Sequence, residues 1–128
     1  MTIAIGLITL DADVSGHVGG IVSRCGLSVW TVDSPDAYYR DSRRSHTLCV
    51  IIDLPGQAGL EALEALRDLG IRSPAILIGD PGRTLPSARL ANACALDVLP
   101  RPVETSDLLG WIECVCTATM VLERRRAA

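Results

Sequence analysis

The chain has 128 residues, 48% of them hydrophobic, and a net charge of −3; it is long enough for one domain with a substantial core, and its charge gives no electrostatic reason to expect nucleic acid. Its cationic side chains are twelve Arg and no Lys, which excludes any mechanism that needs a lysine amine as Schiff base, P-loop cation or pocket charge. Phe is absent and aromatics make up 3%, so there is no platform for stacking bases. No apolar run approaches the ~18 residues of a membrane span, and the N-terminus lacks a basic stretch followed by a small-residue cleavage site. The expectation is a single cytoplasmic domain over residues 1–128 that touches neither membrane nor nucleic acid.

Ile3 to Leu10 is almost continuously apolar and reads as a buried strand. Asp11 and Asp13 follow, and Asp13 suits the N-cap of the next segment. Val14, Val18, Ile21, Val22 and Cys25 fall on one face of a helix that Gly26 ends. Gly16, Gly19 and Gly20 weaken that helix by up to ~1 kcal/mol each relative to Ala, and they allow close approach by a partner. Leu27 to Val32 is a second strand. Ser34-Pro35-Asp36 is an N-cap with Pro at the first helical position, opening a short helix to about Arg40. Asp41 to His46 reads as a solvated, Arg-bearing loop.

Leu48 to Ile52 is the third strand, five apolar residues running into Asp53 and then the Pro55-Gly56 turn. A carboxylate just past a buried strand sits where open α/β sheets place their sites. Leu60 to Leu69 is an amphipathic helix closed by Gly70. Pro74 leads into a fourth strand, Ala75 to Ile78, followed by Gly79-Asp80-Pro81-Gly82. A weaker helix covers about Ser87 to Cys94. Leu96 to Leu99 is a fifth strand, followed by Pro100-Arg101-Pro102. The last helix runs from about Thr105 to Glu123, with Leu108, Leu109, Ile112, Val115, Cys116 and Thr119 inward and Trp111 towards its flank. Arg124-Arg125-Arg126 reads as a solvated helix end.

Five β/α units imply a parallel sheet with helices on both faces and right-handed crossovers. The natural arrangement at this length is a flavodoxin-like α/β three-layer sandwich with strand order 2-1-3-4-5 and five helices. Cys25, Cys49, Cys94, Cys114 and Cys116 are an odd set without a C-x-x-C pair, which reads as reduced, buried thiols. With His17 and His46 as the only histidines, a structural zinc site is not expected.

These residues resemble the receiver domain of two-component response regulators over essentially the whole chain, closest to receivers that carry a LuxR-type helix-turn-helix output. The resemblance rests on Cys49-Val-Ile-Ile-Asp53, on Leu60 to Leu69 as the family's third helix, and on Ala95-Leu-Asp-Val-Leu-Pro-Arg-Pro102 where the family has a strand ending in Lys-Pro. It implies Asp53 as the phosphoacceptor position. Counted back from Gly26, the acidic pair that holds Mg²⁺ in the family falls on Thr9 and Leu10, with Asp11 one step later. The hydroxyl position falls on Gly79, the aromatic switch position on Val98 and the lysine position on Arg101, where Arg101-Pro102 keeps the family's cis peptide. The loop from Asp53 to Pro55 is two residues shorter than the family's. Aligning the Pro-Gly instead puts Ile51 at the acceptor position.

The expectation is therefore an atypical or pseudo-receiver. It is a non-enzymatic interaction or dimerisation module with no cofactor, in which Asp53 pairs with Arg101. Its implied partners are a signalling protein, a histidine kinase or a second copy, met through Gly16, Gly19 and Gly20 or through the flank at Trp111. Any output lies in a partner or a further domain. Two alternatives stay open. One is a phosphorylatable receiver, with Asp53 accepting phosphate and Asp11 or Asp13 assisting Mg²⁺. The other is a flavodoxin-like ligand-binding protein, although no G-x-G-x-x-G follows the first strand.

Overall fold

The computed structural model describes residues 3–82 and 84–127, with side chains described to residue 118. The last-helix position Thr119 and the side chains of Arg124, Arg125 and Arg126 therefore lie outside the described residues. Five strands, β1 (Ala4–Thr9), β2 (Ser28–Val32), β3 (Thr47–Asp53), β4 (Ala75–Gly79) and β5 (Ala95–Pro100), form one parallel sheet in the order β2-β1-β3-β4-β5. Five helices alternate with them: α1 (Ala12–Arg24), α2 (Pro35–Arg40), α3 (Ala58–Asp68), α4 (Ser87–Asn92) and α5 (Thr105–Ala127). This is the flavodoxin-like order expected from the alternation of apolar runs and amphipathic segments.

The continuous apolar runs divide by parity between two cores, because successive side chains of a strand point to opposite faces. Ile8, Val50, Ile52 and Leu77 pack with Tyr38, Leu60, Leu63 and Leu66 on one side. Ile5, Leu7, Ile51, Ile76, Ile78 and Leu99 pack with Val18, Ile21, Val22, Leu108, Ile112 and Val115 on the other, against α1 and α5. Gly6 is required where it stands: a Cβ there would lie 2.5 Å from the ring of Tyr38. That buried ring stacks on Trp30 with centroids 4.7 Å apart.

Several local expectations are corrected. The N-cap of α1 is Asp11, not Asp13: the Asp11 carboxylate accepts from the Asp13 N–H at 2.9 Å, and Asp13 is exposed. The Arg-bearing loop is a 3-10 helix over Ser42–His46, set by Asp41, whose side chain accepts from the Arg43 N–H, and by Thr47, whose hydroxyl donates to the Arg43 carbonyl. Its arginines are engaged, Arg43 over the Trp30 ring and Arg44 over the Tyr39 ring. Helix α3 starts at Ala58, two residues early, and α4 stops at Asn92 because Cys94 turns to φ 56. Of the cysteines, Cys49 alone is fully buried. Cys25 and Cys116 are half-buried, while Cys94 and Cys114 are exposed, so the buried-thiol reading fails for the last two. Burial pushes the Cys49 thiol up to about 12.

Candidate functional site

The site follows from register. Thr9 pairs with Asp53 across β1–β3, Asp53 with Ile78 across β3–β4, and Gly79 with Pro100 across β4–β5. The carboxyl ends of four strands are therefore level. Beyond the last pair, the Arg101 N–H still donates to the Gly79 carbonyl at 3.0 Å, carrying the ladder one step further. Parity does the rest. Thr9 continues the Ile5–Leu7 face, Asp53 the Ile51 face, Asp80 the Ile78 face and Arg101 the Leu99 face, all of which belong to the core under α1 and α5.

These four side chains form one hydrogen-bonded group. The Thr9 hydroxyl donates to Asp53 Oδ2 at 2.7 Å. Arg101 Nη1 is paired with Asp53 Oδ1, the pairing expected from the sequence. Arg101 Nε donates to Asp80 Oδ1 at 3.0 Å, and Nη2 to the Leu54 carbonyl at 3.1 Å. Asp80 Oδ2 accepts from the Gly56 N–H at 3.0 Å. The guanidinium fork serves two carboxylates and a carbonyl at once, geometry that a lysine ammonium could not supply. The side chain of Asp53 is 2% exposed and both its oxygens have partners.

Each position singled out from the sequence can now be placed. Thr9 is buried beside Asp53, and its hydroxyl also accepts from the Asp11 N–H at 3.1 Å. Leu10 is 70% exposed at the edge of the site. Asp11 lines the cavity in front of Asp53, but one of its oxygens is turned to cap α1. Gly79 lies on the opposite parity; a Cβ there would come 2.9 Å from Val98, so this position faces the other core. Val98 is half-buried against that core, and the Arg101–Pro102 peptide is cis. Ile51 is fully buried, leaving Asp53 as the residue at the rim. The three glycines do not share a surface. Gly19 packs towards Val29, whereas Gly16 and Gly20 have nothing within 4 Å of an added Cβ. Trp111 is half-buried, and its indole N–H donates to Asp97 at 2.9 Å.

The sequence reading does not single out Asp80, which stands in the Gly79-Asp80-Pro81-Gly82 stretch after β4. The signal that could have found it is its spacing: it stands two residues past the inward Ile78, as Asp53 stands two past Ile51. A cavity of about 520 Å³ opens in front of the group, lined by Leu10, Asp11, Ala12, Asp53, Pro55, Asp80 and Arg101. The donor set does not suit a divalent cation. Hard cations need several free oxygens, and here Asp53 is committed to Thr9 and Arg101, Asp80 to Arg101 and Gly56, and one oxygen of Asp11 to its helix. Among the described residues no three His, Cys, Asp or Glu side chains are arranged to hold a metal ion. Among them, too, no helix is long and apolar enough to cross a membrane.

No family model matches the chain, and no curated protein matches it. Solved structures do. A response regulator receiver protein from Pseudoalteromonas atlantica superposes with a TM-score of 0.79 at 19% identity, covering 91% of this chain and 98% of that one. The response regulator StyR gives 0.79 at 26% identity, covering 99% of this chain and 64% of that one. The signal receiver domain of a Luxo repressor protein from Vibrio parahaemolyticus gives 0.78 at 16% identity, covering 96% of each. With the strand order and these superpositions in agreement, the chain has the fold of a response-regulator receiver domain.

Proposed function

We propose that the chain is an atypical receiver in two-component signalling, working as a protein-interaction module held in one arrangement without ordinary aspartyl phosphorylation. The observation that carries this reading is the state of Asp53. To take up a phosphoryl group, one carboxylate oxygen must be free to attack phosphorus, and a cation must offset the incoming charge. At Asp53 one oxygen accepts from Thr9, the other is paired with Arg101, and solvent barely reaches either. Arg101 supplies permanently the positive charge that would otherwise meet a phosphoryl group.

In this reading the module is cytoplasmic, holds no cofactor and catalyses nothing, and it meets its partner, a signalling protein or a second copy, through its surface. Gly16 and Gly20, four residues apart and open on α1, form one such surface; the flank of α5 at Trp111 is another.

Intact mass after incubation with Mg²⁺ and acetyl phosphate, beside an Asp53→Asn control, tests the proposal. The expected result is no gain in mass by the folded protein. A phosphate-sized gain that disappears in the control supports instead a working phosphoacceptor, with Asp11 as substitute metal ligand.

A further inference from the structure

Asp80 is the member of the group that the closure of Asp53 does not require. Arg101 could neutralise Asp53 alone, and Thr9 would still hold the other oxygen. Yet the Asp80 carboxylate accepts from two donors on two different loops: the backbone N–H of Gly56, between β3 and α3, at 3.0 Å, and Arg101 Nε, between β5 and α5, at 3.0 Å. A backbone N–H and a guanidinium edge converging on two oxygens are the elements of an oxyanion site. Gly56 is at φ 60, in the left-handed region that favours glycine. The site opens on the cavity of about 520 Å³, and the Asp80 side chain is 37% exposed.

We infer that Gly56 and Arg101 build an oxyanion site of carboxylate size whose occupant is the chain's own Asp80. As a resident anion, Asp80 ties the three loops after β3, β4 and β5 together and keeps the site filled. Nothing has to be delivered from outside for these loops to be ordered, and an external oxyanion meets a site already taken. The inference deepens the closed-site reading above and names the residue that keeps the loops closed.

The test is amide exchange at Gly56, followed by NMR in the full chain. In Asp80→Ala the Gly56 amide loses its acceptor and exchanges roughly tenfold faster or more, while amides of β1 and β3 keep their rates. Sodium formate, which restores a carboxylate without a tether, slows Gly56 exchange in the variant; sodium chloride at equal ionic strength does not, and formate leaves the parent protein unchanged. Asp80→Ser leaves similar space and carries the same test should alanine fail to fold. Unchanged Gly56 exchange in the variant, or equal effects of formate and chloride, would overturn the inference. A gain of phosphate on Asp53 would instead overturn the closed-site reading and leave the Gly56 result standing, so the two failures are distinguishable.

Discussion

Removing Arg101 costs more than removing its partner Asp53, and removing both costs less than removing Arg101 alone. In Arg101→Ala the Asp53 carboxylate, 2% exposed, is left with the Thr9 hydroxyl as its one side-chain donor. Breaking a buried pair from one side costs ~3–5 kcal/mol, because a charge stays behind without its counterpart. Arg101 is itself 26% exposed and Thr9 remains, which places the expected loss near ~3 kcal/mol. For a chain of this size that lowers Tm by about 12 °C. In Asp53→Ala the buried charge disappears and the guanidinium keeps Asp80 and the Leu54 carbonyl, so the expected loss is ~1–2 kcal/mol. The double variant should lie near the Asp53→Ala value, with a coupling energy of about 3 kcal/mol. Urea denaturation at pH 7, with m-values compared to exclude a change in the denatured state, reads all four corners of the cycle. A loss under ~1 kcal/mol in Arg101→Ala, or a double variant equal to the sum of the singles, refutes the argument that Asp53 depends on Arg101.

Two further predictions concern the core. Burial pushes the Tyr38 hydroxyl from 10.0 up to about 12, with neighbouring Thr47 holding the rise back. For a group raised in the folded state, the stabilising contribution is complete below pH 10 and lost as pH climbs through 12, so Tyr38→Phe should flatten the alkaline decline between pH 10 and 12 by ~2–3 kcal/mol. The remaining decline belongs in part to Cys49, raised from 9.0 in the same direction. Equal slopes for parent and variant in urea titrations across that window contradict the assignment. Gly6→Ala should lower stability by ~1–3 kcal/mol, since the new methyl meets the Tyr38 ring on a central strand. Gly16→Ala, on an open helix face, should raise it by up to ~1 kcal/mol. Thermal melts that rank these two variants in the reverse order contradict the placement.

What the sequence made legible follows from how each feature is encoded. The strands read cleanly because Leu7, Ile8, Ile51, Ile52, Ile76 and Leu77 are buried on both faces, and such runs have few other interpretations. The pairing of Asp53 with Arg101 was legible because both close strands of the same sheet end. Asp80 was not, since a Gly-Asp-Pro-Gly stretch reads as a turn by composition alone, and only the level register of β4 and β5 brings its carboxylate to Arg101. The cap of α1 went to Asp11 rather than Asp13 because β1 ends at Thr9, which starts the helix two residues before the sequence pattern suggests. Exposure of Cys94 and Cys114 was hidden for a related reason: cysteine is compatible with either side of a helix, and which side faces out depends on the phase of α5 and the short length of α4. The glycines of α1 were legible as a weakness but not as separate surfaces, a division set by the packing of Gly19 towards β2.

We propose that the chain's own side chains close Asp53 to metal and phosphate. A titration of the folded protein with Mg²⁺ into the millimolar range, followed through the backbone amides, tests it most directly. The expected result is no saturable shift at Thr9, Asp11, Asp53, Gly56 or Asp80. A saturable shift centred on those amides and abolished in Asp53→Asn would contradict it, and would mean that Arg101 yields to a cation.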